Sequence, residues 1–162
     1  MRKSLWLAVQ IALAVCTRCA WCGSAGFEYP TVVLDAYDAD ENCWMGIDAL
    51  GRYPSNVRPE GLLVGPPPSP ESAVTVPTDH WLDLGFSGEL VDGQGDDIVV
   101  SETGRAGEQA LLFVTDGGDQ EYLLTRLVID FTMMQEISHV GADLAGVELP
   151  FVPRAIRLVA LD

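Results

Sequence analysis

Apolar residues in this chain occur in short runs closed off by glycine, proline or aspartate, and this pattern limits the folds open to it. The run Trp81-Leu82-Asp83-Leu84-Gly85-Phe86 alternates with an approximate period of two, and Asp97-Ile98-Val99-Val100-Ser101 is compact and β-branched. Such runs, with glycine and proline between them, favour an antiparallel sandwich or barrel over a parallel α/β sheet. We therefore predict an all-β fold, an antiparallel β-sandwich with little helix.

The predicted strands are distributed along the whole chain after its first segment. Besides the two runs above, strands are expected at 29–36, 73–76, 109–115, 121–124, 127–131 and 155–161. Residues 116–120 hold two glycines and two aspartates, which tolerate the positive φ of a hairpin turn. Short helical turns are expected at 48–50 and 133–139, and the proline-rich residues 66–70 predict an extended loop.

The first 25 residues have the pattern of an export signal. Arg2 and Lys3 precede an apolar stretch interrupted only by Gln10, and Gly23-Ser24-Ala25 offers a cleavage site. We expect residues 1–25 to be a signal peptide and 26–162 a single domain, secreted or held at the cell surface or in the periplasm. The alternatives are a retained anchor helix or a lipidated cysteine. The apolar stretch is shorter than the ~20 residues that span a bilayer, so no transmembrane segment is expected after cleavage.

Most of the cysteines lie within the predicted signal peptide. Cys16, Cys19 and Cys22 lie within it, and Cys43 is the only cysteine of residues 26–162. One cysteine cannot form an internal disulfide, so the domain must be held by its core or must pair with another chain.

The charge of residues 26–162 is strongly acidic. The leader contains three of the nine basic residues and no acids, which leaves six arginines against 24 acidic residues, a net charge of −18. Such a surface repels phosphate backbones, so nucleic acid is excluded as a partner. Cations, neutral sugars or a basic protein remain, and the charge could equally serve only solubility.

No residue pattern points to catalysis. The two histidines, His80 and His139, stand in no recognisable motif, and Ser87 lacks the spacing of a nucleophile elbow. We predict that the protein is not an enzyme.

The segment from Asp92 to Glu102 is the best candidate for a metal site. Glycines interleaved with aspartates form a tight loop that leads into a strand, and Ca²⁺ takes several carboxylate and carbonyl oxygens. The hypothesis is a structural Ca²⁺ site formed by Asp92, Asp96, Asp97 and Glu102. The alternative is an acidic turn in which Glu102 pairs with an arginine, with Arg105 as the local candidate.

Trp44 is the candidate for ligand contact. Its neighbours Asn42, Cys43 and Met45 place it in a predicted loop, where an indole can stack on a sugar ring or contact a partner protein. The alternative is that Trp44 packs in the core.

Several motifs resemble a domain of bacterial exported cell-surface proteins. Asp83-Leu84-Gly85-Phe86-Ser87-Gly88 and the following 90–98 resemble a strand and an acidic loop of that domain, and residues 107–117 its next strand. Residues 143–146 and 149–157 look like its closing part, and residues 48–51 are similar to an early turn of discoidin-like domains. The resemblance implies a galactose-binding-like jelly roll, with carbohydrate-binding loops at one end and often a cation bracing a neighbouring loop.

This chain departs from that pattern in two places. Gln94 stands where proline is usual, and the final strand of such domains has no counterpart before Asp162. A missing strand would leave a sheet edge open to another chain. Two functions are therefore expected: a non-catalytic module that recognises carbohydrate or an envelope or surface protein, or a structural or incomplete domain that self-associates through a sheet edge without a small-molecule ligand.

Overall fold

The computed structural model describes residues 6–10, 15–16, 27–36, 44–52, 55–65, 73–93, 95–103, 108–128 and 138–161. These ranges contain thirteen strands and one short helix. In chain order they are β1 (Trp6–Gln10), β2 (Val15–Cys16), β3 (Phe27–Glu28), β4 (Val32–Ala36), β5 (Trp44–Ile47), β6 (Ser55–Val57), α1 (Pro59–Leu63), β7 (Ala73–Pro77), β8 (Trp81–Gly85), β9 (Ile98–Thr103), β10 (Gln109–Thr115), β11 (Glu121–Val128), β12 (Ser138–Ala142) and β13 (Ala155–Leu161).

The strands form two main antiparallel sheets. The six-stranded sheet has the order β12-β9-β1-β7-β5-β6, and the five-stranded sheet has the order β11-β10-β13-β8-β4. Strands β2 and β3 pair with each other. The prediction of an all-β antiparallel sandwich with little helix is confirmed.

One hydrophobic core joins the two sheets. The six-stranded sheet contributes Trp44, Val57, Val74, Val76, Ile98, Val100 and Ala142, and the five-stranded sheet contributes Ala36, Leu82, Leu84, Ala110, Leu112, Val114, Leu127, Ile156, Leu158 and Ala160. Alternation along β10 shows how the sequence produces this: Leu112 and Val114 are buried, whereas the alternate residues Leu111 and Phe113 are half-buried on the outer face. The period of two therefore assigns each strand an inner and an outer face.

The predicted hairpin between β10 and β11 is confirmed. Asp116 closes its turn, with Oδ1 accepting hydrogen bonds from the amides of Gly118 at 2.8 Å and Gln120 at 3.3 Å. Gly117 adopts a φ of 87°, which glycine reaches without steric cost.

Some elements differ from expectation. Seven elements were not predicted from the sequence: the strands β1, β2, β3, β5, β6 and β12 and the helix α1. Ser138 and His139 begin β12, so the helical turn expected over 133–139 is wrong at its end, and residues 133–137 lie outside the described ranges. The proline-rich residues 66–70 lie outside them as well. Across the described ranges, no helix has the length and apolar character needed to cross a membrane.

The N-terminal segment contributes a strand to the larger sheet. β1 lies between β7 and β9, antiparallel to both. Its residues belong to the predicted export signal, whose cleavage stays a prediction.

Candidate functional site

The acidic loop between β8 and β9 is anchored at its base. The Phe86 amide donates to the carbonyl of Arg154 at 3.0 Å, and the Leu90 amide donates to the carbonyl of Pro153 at 2.8 Å. Phe86 and Leu90 are buried in the core. These contacts fix both ends of residues 86–90 against the segment before β13, so the aspartates that follow start from a defined position.

Asp97 connects this loop to a second one. Its side chain is almost fully buried, with 1% of the residue exposed. The Gly93 amide donates to Oδ1 at 2.6 Å, and the Leu144 amide donates to Oδ2 at 2.8 Å. The Asp97 amide in turn donates to the carbonyl of Ala142 at 3.0 Å. One carboxylate therefore joins the loop before β9 to the loop after β12.

Asp92 and Asp143 complete an acidic cluster around Asp97. Each of the three carboxylates offers an oxygen atom, and these atoms all lie within 4.8 Å of one another. Oxygens bound to one Ca²⁺ at 2.3–2.6 Å are at most about 5 Å apart, so the spacing fits that ion. Asp92 and Asp143 are exposed, which leaves the cluster open to solvent on one side.

The electrostatics of this Asp92–Asp97–Asp143 cluster are unfavourable to negative charge. Burial raises the pKa of Asp97; the hydrogen bonds from Leu144 and Gly93 oppose that rise, and the nearby Asp143 and Asp92 add to it. Among the described residues, none of the four ion pairs involves a member of the cluster. A divalent cation would supply the compensating charge.

The cluster contains part of the set predicted from sequence. It brings Asp92 and Asp97 together and adds Asp143, which was not predicted as a ligand. The sequence signal for Asp143 was Gly146, three positions later, which marks a turn. In the structure, Oδ1 of Asp143 accepts a hydrogen bond from the Ala145 amide at 2.8 Å, and Gly146 has a φ of 75°.

The other two predicted ligands lie elsewhere. The carboxylate of Asp96 lies against Gly141 of β12, where an added Cβ would overlap it. Glu102 follows Asp97 by five positions, and an extended strand rises about 3.3 Å per residue, so its backbone is roughly 16 Å further along β9. That separation is beyond the reach of a glutamate side chain. The side chain of Glu102 and all of Arg105 lie outside the described ranges.

Trp44 requires a correction. It begins β5 and does not lie in a loop, and only 7% of its surface is exposed, so it packs in the core with Val57 and Val74. A buried indole has no free face for a sugar ring. The alternative of core packing is therefore the one that the structure supports.

A second group of charged residues lies on the outer face of the five-stranded sheet. Arg157 donates from Nε and Nη2 to both carboxylate oxygens of Asp83, at 2.8 and 2.7 Å, and from Nη1 to Glu121 at 2.6 Å. Hydrogen bonding to Asp83 raises the pKa of Arg157 further above its ordinary value. Every charge in this network has a partner, so it stabilises the sheet and offers no unused group.

The motifs that resemble galactose-binding-like domains fall on β8, the acidic loop, β10 and the segment leading into β13. Their places agree with an antiparallel sandwich, which many families share, so membership of the jelly-roll family stays a prediction. No protein-family model, curated protein or solved structure matches this chain.

Proposed function

We propose that the protein is a non-catalytic recognition module of an exported or cell-surface protein, with a galactose-binding-like jelly roll. Its ligand is a carbohydrate or a protein of the cell envelope, bound at the loops around the Asp92–Asp97–Asp143 cluster, and Ca²⁺ braces those loops. The observation that carries the proposal is the cluster itself, in which three carboxylates from two loops share one small volume.

The cation follows from the donor set. Carboxylate oxygens are the ligands that Ca²⁺ prefers, and carbonyls and water would complete its six to eight positions. A bound ion would tie residues 86–97 to residues 143–146, in addition to the two hydrogen bonds that Asp97 already makes. Loops fixed in this way lose less entropy when they bind a ligand.

The choice of ligand follows from charge. The acidic surface disfavours nucleic acid and anionic lipid and leaves neutral sugars and basic proteins as partners. The resemblance described above points to the same loops. The absence of a nucleophile–base motif from the sequence favours binding over catalysis.

Calcium binding is tested by thermal melting with Ca²⁺ and with a chelator. An ion present at about one hundred times its Kd should add about 2.7 kcal/mol to the free energy of unfolding. Asp143→Asn should abolish most of that gain, because Asn keeps the turn but loses the charge. Asp116→Asn is the matched control: Asp116 makes the same turn with a 2.8 Å hydrogen bond but lies outside the cluster. Equal melting temperatures under both conditions would reject the ion.

Ligand binding is tested by retention on envelope polysaccharides and on a glycan array, with wild type and Asp143→Asn compared with and without Ca²⁺. The proposal expects calcium-dependent retention that Asp143→Asn weakens and Asp116→Asn leaves unchanged. Failure to bind any polysaccharide or envelope protein would count against a recognition role.

A second candidate function, self-association, is favoured by one observation. β11 is an edge of the five-stranded sheet, and Tyr122, Leu123 and Val128 on it are exposed. An apolar edge strand can pair with another chain. Sedimentation tests this directly: a wild-type dimer that Leu123→Lys makes monomeric would support it, and a wild-type monomer at high concentration would exclude it.

A further inference from the structure

The six-stranded sheet depends on its N-terminal strand for continuity. Ala8 lies opposite Thr75 of β7 on one side and Thr103 of β9 on the other, and Val9 lies opposite Val74 and Glu102. Without β1 the sheet would divide into β12-β9 and β7-β5-β6. Because strands lie about 4.8 Å apart, β7 and β9 would face each other across roughly 9–10 Å, too far to pair directly.

The walls of this gap belong to the interior of the protein. Val74, Thr75 and Val76 on β7 and Val100 and Ser101 on β9 are all buried. β7 is buried on both faces. Among the described residues, the Thr75 hydroxyl is the one buried side-chain group without a hydrogen-bond partner. An empty gap would leave two rows of backbone groups unpaired, and such edges bind an added strand.

The segment that fills the gap suits it in sequence and charge. Residues 6–10 are Trp-Leu-Ala-Val-Gln, with no charge and no proline, and Leu7 and Val9 stand opposite the core residues Val76 and Val74. Residues 1–25 carry three basic groups and no acids, whereas the remainder carries a net charge of −18. Attraction between opposite charges would therefore assist docking of the segment.

We infer that the gap between β7 and β9, here the β7–β9 slot, is a strand-binding site whose occupant is the chain's own segment Trp6–Gln10. The segment with the composition of an export signal thus has a second role as a structural strand. When the connection to the domain is cut, the slot holds this segment non-covalently. The inference does not depend on the function proposed above, because it involves neither the aspartate cluster nor a glycan.

Cutting the connection in the intact protein tests this inference. A protease site is inserted in the full chain after Ala12, between β1 and β2, and the protein is cleaved after it has folded. We expect the N-terminal fragment to co-elute with the domain in gel filtration at one copy per domain, and to separate only in denaturant. Separation under native conditions, whatever the state of the remaining domain, would overturn the inference.

A proline variant tests whether backbone pairing retains the fragment. Ala8→Pro removes an amide from a position with a neighbouring strand on each side, and loss of a buried hydrogen bond of about 1.4 kcal/mol corresponds to about tenfold faster release. The matched control is Ser4→Pro, which precedes β1. If the uncleaved Ala8→Pro chain does not fold, a synthetic peptide of residues 2–12 that carries Ala8→Pro is used instead. Its competition with the N-terminal fragment of the cleaved wild-type protein is then compared with that of the Ser4→Pro peptide. Equal release or equal competition by the two prolines would contradict pairing in the slot.

Cross-linking tests the register. Opposite residues of antiparallel strands have Cα atoms about 4.5–5.5 Å apart, within the range of a disulfide. Ala8→Cys with Thr75→Cys should cross-link on oxidation, and Val9→Cys with Thr75→Cys should not, because neighbouring residues point to opposite faces. The background replaces the native cysteines by serine at Cys16, Cys19, Cys22 and Cys43. Equal cross-linking of the two pairs would overturn the assigned register and the slot with it.

Discussion

The two sheets of the sandwich differ in which part of the chain supplies their strands and in how their buried carboxylates are bonded. The five-stranded sheet is built entirely from residues 32–161, and Arg157 neutralises its buried Asp83. The six-stranded sheet takes a central strand from residues 6–10, and its Asp97 is held by backbone amides. A buried carboxylate bonded to backbone amides, and a strand that comes from a distant segment, therefore both belong to the six-stranded sheet. The five-stranded sheet is therefore the more self-contained of the two layers.

The largest effects are expected in the core, where the two layers can be separated by combining variants. Leu112→Ala in the five-stranded sheet should lower the free energy of unfolding by about 2–5 kcal/mol. Val76→Ala, opposite Leu7 in the six-stranded sheet, should cost about 1.5–3 kcal/mol. When Leu112→Ala is combined with Ala8→Pro, the two losses in the free energy of unfolding should add to within about 0.5 kcal/mol. When Val76→Ala is combined with Ala8→Pro, the total loss should be smaller than the sum of the two single losses. Chemical denaturation of the three single and two double variants measures these losses. Equal coupling of Leu112→Ala and of Val76→Ala to Ala8→Pro would remove the distinction between the two layers.

Asp97 should show the next largest effect. Asp97→Ala leaves the Leu144 and Gly93 amides without their acceptor, at an expected cost of about 2–4 kcal/mol, and Asp97→Asn should cost less because its oxygen still accepts one bond.

The pH dependence of Asp97 has a defined sign. The pKa of Asp97 is raised in the folded state. Its contribution to the free energy of unfolding is therefore most favourable below the ordinary pKa of 3.8 and is lost as the pH rises towards the folded pKa. Wild type should therefore lose stability relative to Asp97→Asn as the pH rises from about 4, and Ca²⁺ should reverse this loss. A constant difference between the two proteins across this range would contradict the raised pKa.

The charge network of the five-stranded sheet provides the contrasting case. Arg157→Leu leaves the Asp83 carboxylate, 11% exposed, without its partner. We expect a cost of about 1–3 kcal/mol, between the values for exposed and buried pairs. Arg154→Leu is the matched control, because its pair with Glu89 is exposed on both sides, and it should cost less than about 0.5 kcal/mol. Adding Asp83→Leu to Arg157→Leu should recover part of the lost free energy of unfolding. Similar costs for Arg157→Leu and Arg154→Leu would show that the pairing of Arg157 with Asp83 does not distinguish the layers.

Sequence patterns predicted the five-stranded sheet better than the six-stranded sheet, and the reason is physical. β10 and β13 alternate between buried and half-buried residues along most of their length, so local periodicity locates them. The Asp116–Gln120 turn follows equally from local chemistry. By contrast, β5 and β6 contain only four and three residues, too few for a period of two to locate them. β12 combines Ser138, His139 and Gly141 with only two apolar residues.

The candidate site was predicted only in part for the same reason. Asp92 and Asp97 share one acidic loop, so composition identified both. Asp143 joins them because β9 pairs with β12 and places Ala142 beside Asp97, a contact that no local pattern contains. Trp44 was misplaced because it closely follows the polar run Asp40-Glu41-Asn42 in sequence, whereas its burial depends on the opposite sheet.

The smallest effect is expected at Asp48, which lies in the same layer as Asp97 but has the opposite response to pH. Its carboxylate accepts from the amides of Leu50 and Arg52, both at 3.0 Å, and from the guanidinium of Arg52, which lowers its pKa to about 2. Its stabilisation is complete above the ordinary 3.8 and is lost as the pH falls from about 4 to about 2, whereas Asp97 stabilises most when protonated. Carboxyl-carbon NMR titration should therefore show Asp48 changing near pH 2 and Asp97 well above it. Arg52→Gln should move the titration midpoint of Asp48 towards 3.8 and leave that of Asp97 unchanged. Coincident midpoints in wild type would contradict the opposite pKa shifts of these two carboxyl groups.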